Sequence, residues 1–228
     1  MKTKTNKIKT QKEIENFFRV ALFGSSKIKK NDPIYKEIKE LGKALAREQI
    51  DIVTGGGAGL MQAASEGHVK GRTGKEKNFP SMNIRSIGVG VKLPWNQGFN
   101  NAIEYKKEFG TFSERLDEFM LLSNAVIVAP GGIGTLLELF YTWQLVQVHH
   151  ICNIPIILYG EQWGGLLEWI KESPLQTKYL TDRDYQLVFH VKNQEEVIEM
   201  IRDLHKHWST GGKNFCLNYN KYKVYLKK

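Results

Sequence analysis

Short apolar runs alternate along this chain with longer segments that carry apolar residues at every third or fourth position, and this alternation restricts the fold strongly. The apolar runs span residues 20–23, 50–53, 87–91, 125–128, 154–159 and 186–190. The periodic segments span residues 33–48, 60–69, 113–122, 135–148, 163–171 and 194–205. Runs rich in β-branched residues predict strands, whereas the longer period predicts amphipathic helices. Strands that alternate with helices form a parallel sheet, and runs this apolar indicate helices on both of its faces.

These elements predict a single α/β domain built as a doubly wound, Rossmann-like parallel sheet. A length of 228 residues with 41% hydrophobic residues suffices for one sizeable core but is short for two. We place this domain at residues 17–206. A basic N-terminal tail then covers residues 1–16, and a basic C-terminal tail covers residues 207–228.

The net charge of +9 comes from the two ends of the chain. Ten lysines lie there: Lys2, Lys4, Lys7, Lys9, Lys12, Lys213, Lys221, Lys223, Lys227 and Lys228. Outside residues 1–12 and 208–228, 23 basic side chains stand against 24 acidic ones. Basic tails without a recognition motif attract polyanions only weakly. We therefore expect no specific nucleic-acid partner.

Signals for export, membrane insertion and metal binding are missing from the sequence. Residues 1–18 lack the uninterrupted apolar core of a signal peptide, and no later segment approaches the roughly 20 apolar residues of a membrane span. Cys152 and Cys216 have no metal-binding spacing and are too few for a disulfide scaffold. We expect a cytoplasmic protein with no membrane partner, no metal and no cofactor.

Two glycine-rich turns connect a predicted strand to a predicted helix, one at residues 54–59 and one at residues 130–135. Ligands of doubly wound sheets bind outside the carboxyl ends of the strands, where these turns lie. A helix N-terminus attracts anions, and glycine lets the ligand come close. We therefore predict a cradle for phosphate or carboxylate. Its candidate residues are Gly24, Ser25, Gly55, Gly56, Gly57, Gly131, Gly132, Gly134 and Thr135.

Structural explanations for the same residues stay open at this point. Glycine is common in tight turns whether or not they bind a ligand. Thr135 and Glu138 also match a capping box, in which their side chains would satisfy backbone donors at the helix start. Two familiar nucleotide motifs fail: Leu60 takes the place of the third glycine of GxGxxG, and Gly74-Lys75 lacks the earlier glycine of a Walker A loop.

Taken together, these residues resemble the LOG family, whose members are also called lysine decarboxylase-like proteins. The resemblance covers residues 18–205. Its landmarks are Phe23-Gly24-Ser25-Ser26, Val53 to Met61 with Ala63-Ala64, Leu93-Pro94 with Gln97 and Asn100, Arg115, and Pro130-Gly131-Gly132-Ile133-Gly134-Thr135-x-x-Glu138. The PGGxGTxxE element with an arginine fifteen residues before its proline is specific to this family.

The resemblance implies an enzyme that hydrolyses the N-glycosidic bond of a nucleoside 5′-monophosphate. The product would be ribose 5-phosphate and a free base, and the substrate would be AMP-like or a cytokinin riboside monophosphate. Arg115 and Glu138 would be catalytic, the glycine loop would bind the 5′-phosphate, and Pro94, Gln97 and Asn100 would be candidate base or sugar contacts. The family also implies a homodimer with the helix after the PGG turn near its interface.

Departures from the family pattern leave the preferred base open. Leu116 replaces the lysine that often follows the arginine, and the segment between Gly71 and Arg115 is longer than in plant-type members. Decarboxylation is disfavoured because no pyridoxal-phosphate lysine signature is present. The alternative function is a nucleotide-binding or molybdenum-cofactor-type carrier of the same fold without turnover. The pair of Arg115 and Glu138 favours an enzyme.

Several other conspicuous residues have structural explanations that we favour. Asp117 and Glu118 follow Arg115 at spacings that point elsewhere on a helix. His149-His150 suits a helix C-terminus better than a metal site. Phe140, Tyr141 and Trp143 follow Glu138 at helical positions and suit core or dimer contacts. Trp95 and Phe99, in the loop at the ligand edge, are better candidates than these for base stacking.

Overall fold

The computed structural model describes residues 17–72, 84–94 and 98–210. Seven strands within these residues form one sheet: β1 (Arg19–Phe23), β2 (Asp51–Thr54), β3 (Ser86–Val91), β4 (Tyr105–Phe109), β5 (Ala125–Val128), β6 (Ile156–Tyr159) and β7 (Val188–Val191). The helices are α1 (Pro33–Arg47), α2 (Leu60–Arg72), α3 (Phe112–Leu122), α4 (Ile133–Gln147), α5 (Trp163–Ile170), α6 (Asp182–Tyr185) and α7 (Gln194–Thr210). A π-helical turn, Lys171–Leu175, extends α5.

The strand order is β4-β3-β2-β1-β5-β6-β7, and every pair is parallel. Helices α1, α2 and α7 pack on one face of the sheet, and α3, α4 and α5 pack on the other. The chain therefore has the predicted doubly wound, Rossmann-like α/β fold. Its topological switch point lies at β1, which pairs with β2 on one side and β5 on the other. No helix within the described ranges is long and apolar enough to cross a bilayer.

Strand β4 is the strand of the sheet that the sequence pattern did not predict. Its residues Tyr105-Lys106-Lys107-Glu108-Phe109 carry three charges, and none of them is buried. The strand lies at the edge of the sheet, paired with β3 alone. An edge strand needs no apolar run, and lysines on it discourage pairing with other chains. The run at residues 125–128 is therefore the fifth strand of the sheet.

Helices α1 and α2 lie in unusually close contact. A Cβ atom on Gly42 of α1 would collide with the carbonyl oxygen of Ala64 in α2. A Cβ atom on Gly67 would likewise collide with the carbonyl oxygen of Lys39, and one on Gly71 would lie 2.5 Å from that of Lys43. Glycine at these three positions lets the two helix backbones touch directly.

Candidate active site

Three loops meet at the carboxyl edge of the sheet around the switch point. The Ser25 amide, after β1, donates to the carbonyl oxygen of Pro130, after β5, at 3.0 Å. The Ser25 carbonyl accepts from the Leu60 amide at 2.9 Å, which joins the loop after β2. Hydrogen bonds therefore join the three loops that carry the predicted binding residues. They lie outside the carboxyl ends of the strands, where ligands of such sheets bind.

The turn after β5 leads directly into α4, whose N-cap is Gly132. The first helical hydrogen bond runs from the Leu136 amide to the Gly132 carbonyl at 2.9 Å, and no side chain caps the helix start. Thr135 therefore lies inside the first turn, and the capping box with Glu138 does not form. The amides at this helix start lie outside the helical hydrogen-bond ladder, so they can bind an anion.

The predicted glycines of this turn differ in what stands beside them. Where Gly132 and Gly134 lack a Cβ, there is open space, so a ligand can approach their backbone. At Gly131 the corresponding space is filled by the buried side chain of Thr135. The structure thus leaves Gly132 and Gly134 accessible and uses Gly131 for packing.

Arg115 is fixed by the start of α3. Thr111 is the N-cap, and its hydroxyl oxygen accepts from the Glu114 amide at 3.4 Å. Arg115 follows in the first helical turn, where its Nε donates to the Val89 carbonyl of β3 at 2.9 Å. The guanidinium carbon lies 4.9 Å from the ring centroid of Phe119. These contacts hold the guanidinium at the carboxyl edge of the sheet.

Arg115 and Glu138 form an ion pair, with Nη2 of the arginine 2.9 Å from Oε1 of the glutamate. Their side chains are only 11% and 9% exposed. Burial raises the pKa of the Glu138 carboxyl, and the Arg115 guanidinium opposes that rise. The two residues predicted to be catalytic are therefore brought together, and Glu138 lies on α4, the helix that begins after the N-cap Gly132.

The second glycine turn packs against this ion pair. A Cβ on Gly55 would lie 2.6 Å from Nη2 of Arg115 and 2.7 Å from the sulfur of Met61. A residue with a side chain at position 55 would displace the guanidinium. Gly55 is therefore needed to accommodate Arg115, and its direct contact with a phosphate stays a prediction.

Phe99 and Asn100 support the rest of that turn. The Asn100 side-chain amide donates to the carbonyls of Gly56 and Gly57 at 3.0 and 2.9 Å, and its backbone amide donates to Gly56 at 2.8 Å. The Phe99 ring occupies the space in front of Gly56 and Gly88. Both side chains thus hold the loop in shape, and their contacts with a base or sugar stay predictions.

The remaining candidates for base or sugar contacts are less informative. Pro94 is exposed after the end of β3. Gln97 and the stacking candidate Trp95 lie outside the described residues. For Gly24 the missing Cβ is accounted for by packing, since it would lie 3.1 Å from the Cβ of Leu60.

Acidic and histidine residues near the site have partners of their own. Asp117 accepts from the hydroxyl of Tyr141 at 2.5 Å, and Glu118 pairs with Lys107 at 2.7 Å. His149 has a φ of 54°, the left-handed conformation that often follows a helix C-terminus. Within the described part of the chain, no three His, Cys, Asp or Glu side chains are grouped as metal ligands.

Gln162 is the residue of this region that sequence reasoning missed. Its side-chain amide donates to the Gly131 carbonyl at 2.7 Å, and its carbonyl oxygen accepts from the Gly131 amide at 3.0 Å. The residue belongs to the loop after β6, which contains no glycine motif. The only available signal was its position, because that loop also follows the carboxyl end of a strand.

Fold and site together define a Rossmann-like protein with an open helix N-terminus beside a buried arginine–glutamate pair. A family model described as "Possible lysine decarboxylase" matches residues 61–201, which is more than half of the chain. The chain belongs to this family, the LOG family indicated by the PGGxGTxxE motif.

Relatives within the family carry enzyme names. The chain is 36% identical over 194 residues to "Probable cytokinin riboside 5'-monophosphate phosphoribohydrolase LOGL2" of Oryza sativa subsp. japonica, covering 82% of this chain and 73% of that protein. It is 29% identical over 147 residues to "Pyrimidine/purine nucleotide 5'-monophosphate nucleosidase" of Escherichia coli (strain K12). That match covers 62% of this chain but only 30% of the E. coli protein.

Solved structures confirm the fold. The molybdenum cofactor carrier protein of Chlamydomonas reinhardtii matches with a TM-score of 0.59 over 83% of this chain and 99% of the carrier. At 20% sequence identity, this likeness establishes the shared architecture and leaves the function open.

Proposed function

We propose that this protein is a nucleoside 5′-monophosphate phosphoribohydrolase, which releases a free base and ribose 5-phosphate. The observation that carries the proposal is the buried ion pair of Arg115 and Glu138 beside the open start of α4. A non-catalytic carrier needs hydrogen-bond donors for its ligand, but it has no need of a carboxylate that is buried from water beside those donors. The enzyme names of the family relatives support the same reaction class.

In this proposal, the 5′-phosphate lies at the N-terminus of α4. The amides at the helix start donate to the phosphate oxygens, and the helix dipole adds favourable charge. The open space at Gly132 and Gly134 admits the phosphate close to the backbone. This placement directs the ribose towards Glu138, which lies further along the same helix.

The chemical step is the displacement of the base by water. The C1′–N bond breaks with its electron pair leaving on the base, while a water oxygen forms the new bond to C1′. Positive charge develops at C1′ and the ring oxygen, as in other glycoside hydrolyses. The Glu138 carboxylate stabilises this charge strongly because its surroundings exclude water. The proton lost by the water balances the proton gained by the base.

Arg115 favours the ionised form of Glu138 before the ligand arrives, because its charge opposes the rise in pKa that burial causes. Burial alone favours the neutral acid, and a neutral Glu138 could not stabilise a cationic transition state. When a nucleotide binds, the same guanidinium can also interact with the phosphate or the departing base. The role of Arg115 in this scheme is therefore electrostatic throughout.

The proposal is tested by incubating the purified protein with a panel of purine and pyrimidine nucleoside monophosphates, with the matching nucleosides as controls. Release of free base and ribose 5-phosphate from monophosphates alone supports the proposal and ranks the bases. No release from any of them, with nucleotide binding still measurable by calorimetry, supports the carrier alternative instead.

We also propose that the protein forms a homodimer through α4. Four apolar side chains on this helix and its C-cap are exposed in the single chain: Ile133, Leu137, Phe140 and Val148, at 83%, 43%, 42% and 52%. The first three follow the i, i+4, i+7 spacing of one helix face. An apolar stripe of this kind on a helix surface is typical of a subunit contact.

A further inference from the structure

We propose that Gln162 is a positioning residue, which holds the turn before α4 in the conformation that binds the 5′-phosphate. This inference rests on the proposed function, because it concerns the same phosphate site. Gln162 is the N-cap residue of α5, yet its side chain makes no hydrogen bond to its own helix. Instead, both ends of its carboxamide bind Gly131, at 2.7 and 3.0 Å.

The neighbouring contacts fix the loop that presents Gln162. The next residue, Trp163, is buried, and its indole nitrogen donates to the Val128 carbonyl at the end of β5 at 2.9 Å. Gly160 packs beside Pro130, where an added Cβ would lie 3.3 Å from the proline ring. Contacts on both sides of Gln162 therefore hold the loop after β6 against the end of β5 and Pro130. The Gln162 side chain itself is exposed.

The Gln162 contact divides the residues of the turn into one that is held by the protein, Gly131, and those that stay open to a ligand, beginning at Gly132. Because the Gly131 amide and carbonyl are both engaged by Gln162, neither is available to a ligand. The Thr135 side chain fills the space that a Cβ on Gly131 would occupy. With Gly131 held, the donors left for an anion begin at Gly132, where the structure has open space.

Gln162 is thus expected to affect phosphate binding more than chemistry. A turn that is free to rotate would present the Gly132 and Gly134 amides in many orientations, and only some of these suit an anion. Arg115 and Glu138 do not touch Gln162, so the catalytic ion pair should be unchanged. Loss of the two hydrogen bonds between Gln162 and Gly131 should therefore raise KM and leave kcat nearly unchanged.

The test uses Gln162→Met, which keeps the side-chain length and removes both hydrogen bonds, with Glu161→Gln as the matched control. Glu161 is the adjacent exposed residue, and its pair with Lys192 at 3.2 Å does not involve the turn. We expect Gln162→Met to raise the Kd for ribose 5-phosphate by about tenfold, because the binding turn loses the two hydrogen bonds that hold it. KM for the nucleotide should rise in parallel while kcat and the melting temperature hold.

Amide hydrogen exchange gives a readout that needs no ligand. The Gly131 amide should exchange faster in Gln162→Met than in the wild-type protein or in Glu161→Gln. Ribose 5-phosphate binding by Gln162→Met within about twofold of wild type would overturn the inference. So would a wild-type protein that does not bind ribose 5-phosphate. A wild-type protein that binds this ligand but releases no base would contradict only the proposed reaction.

Discussion

Glu138 is placed so that its charge, rather than its shape, should determine turnover. We expect Glu138→Gln to lower kcat by about a thousandfold or more, because the amide cannot stabilise positive charge at C1′. The substitution keeps the side-chain volume, so the fold should persist. The measurement is kcat together with circular dichroism of the variant.

Glu118→Gln is the matched control for that experiment. Glu118 is also a buried glutamate in an ion pair, but its partner is Lys107 on β4 and not Arg115. Its substitution should leave kcat within about threefold of wild type, as expected for a residue outside the site. Equal losses in the two variants would mean that Glu138 acts through the fold alone.

At the scale of single elements, the start of α3 links stability to the site. The Thr111 side chain caps the helix that carries Arg115 in its first turn. Thr111→Ala should lower the free energy of unfolding by about 1 kcal/mol, the usual cost of losing such a cap. Chemical denaturation measures this loss. Thr111→Ser retains the capping oxygen and should recover most of the stability; if it is as unstable as the alanine variant, the cap is not responsible.

Sequence patterns predicted the buried elements well because burial on both faces leaves an apolar signature. The apolar runs at residues 125–128 and 87–91 predicted strands there, and the structure has β5 at Ala125–Val128 and β3 at Ser86–Val91. Strand β4 left no such signature, because an edge strand is stabilised by backbone pairing with β3 and tolerates lysine. The sequence could predict the architecture but could not predict this edge.

For the site, the motif located the residues but could not assign their contacts. Thr135-x-x-Glu138 fits both a capping box and a functional pair, and only the position of the N-cap at Gly132 separates the two. Gly131 and Gly55 were both predicted to approach a ligand. The structure instead has Thr135 and Arg115 in the space that a Cβ on each glycine would occupy. Such contacts depend on distant segments and leave no local pattern.

At the scale of the whole molecule, His68 should make stability depend on pH. It is buried, and its Nε2 contacts the Ile50 carbonyl at 2.8 Å. Burial lowers the pKa of His68 from 6.5 to about 4. Because the unfolded chain takes up this proton first, the stabilising contribution is complete above pH 6.5 and is lost as the pH falls towards 4.

The variant His68→Gln isolates this effect. Its amide can still donate to Ile50, but it does not titrate. Between pH 6.5 and 4, the wild-type protein should lose up to about 3 kcal/mol more unfolding free energy than the variant. Urea denaturation across this range measures the difference. The comparison is needed because burial raises the pKa of Asp51 to about 6, and that shift changes stability in the opposite direction.

The proposed homodimer also belongs to this scale. Leu137→Lys places a charge in the apolar stripe of α4 and should convert a dimer of 26.2 kDa chains into monomers. Light scattering coupled to size exclusion gives the mass. Trp169→Lys, at an exposed apolar residue on α5, is the control and should leave the dimer intact. A wild-type protein that elutes as a monomer would refute the assembly directly.

The close contact of α1 and α2 has a consequence for how the site can move. The loop after β1 leads into α1, and the loop after β2 leads into α2. Since the helix backbones touch at Gly42, Gly67 and Gly71, neither helix can shift far without the other. The two loops therefore share one rigid foundation, and we expect this part of the site to be assembled before a ligand binds. Selectivity there should come from the fit of the ligand, with little contribution from movement of these two loops.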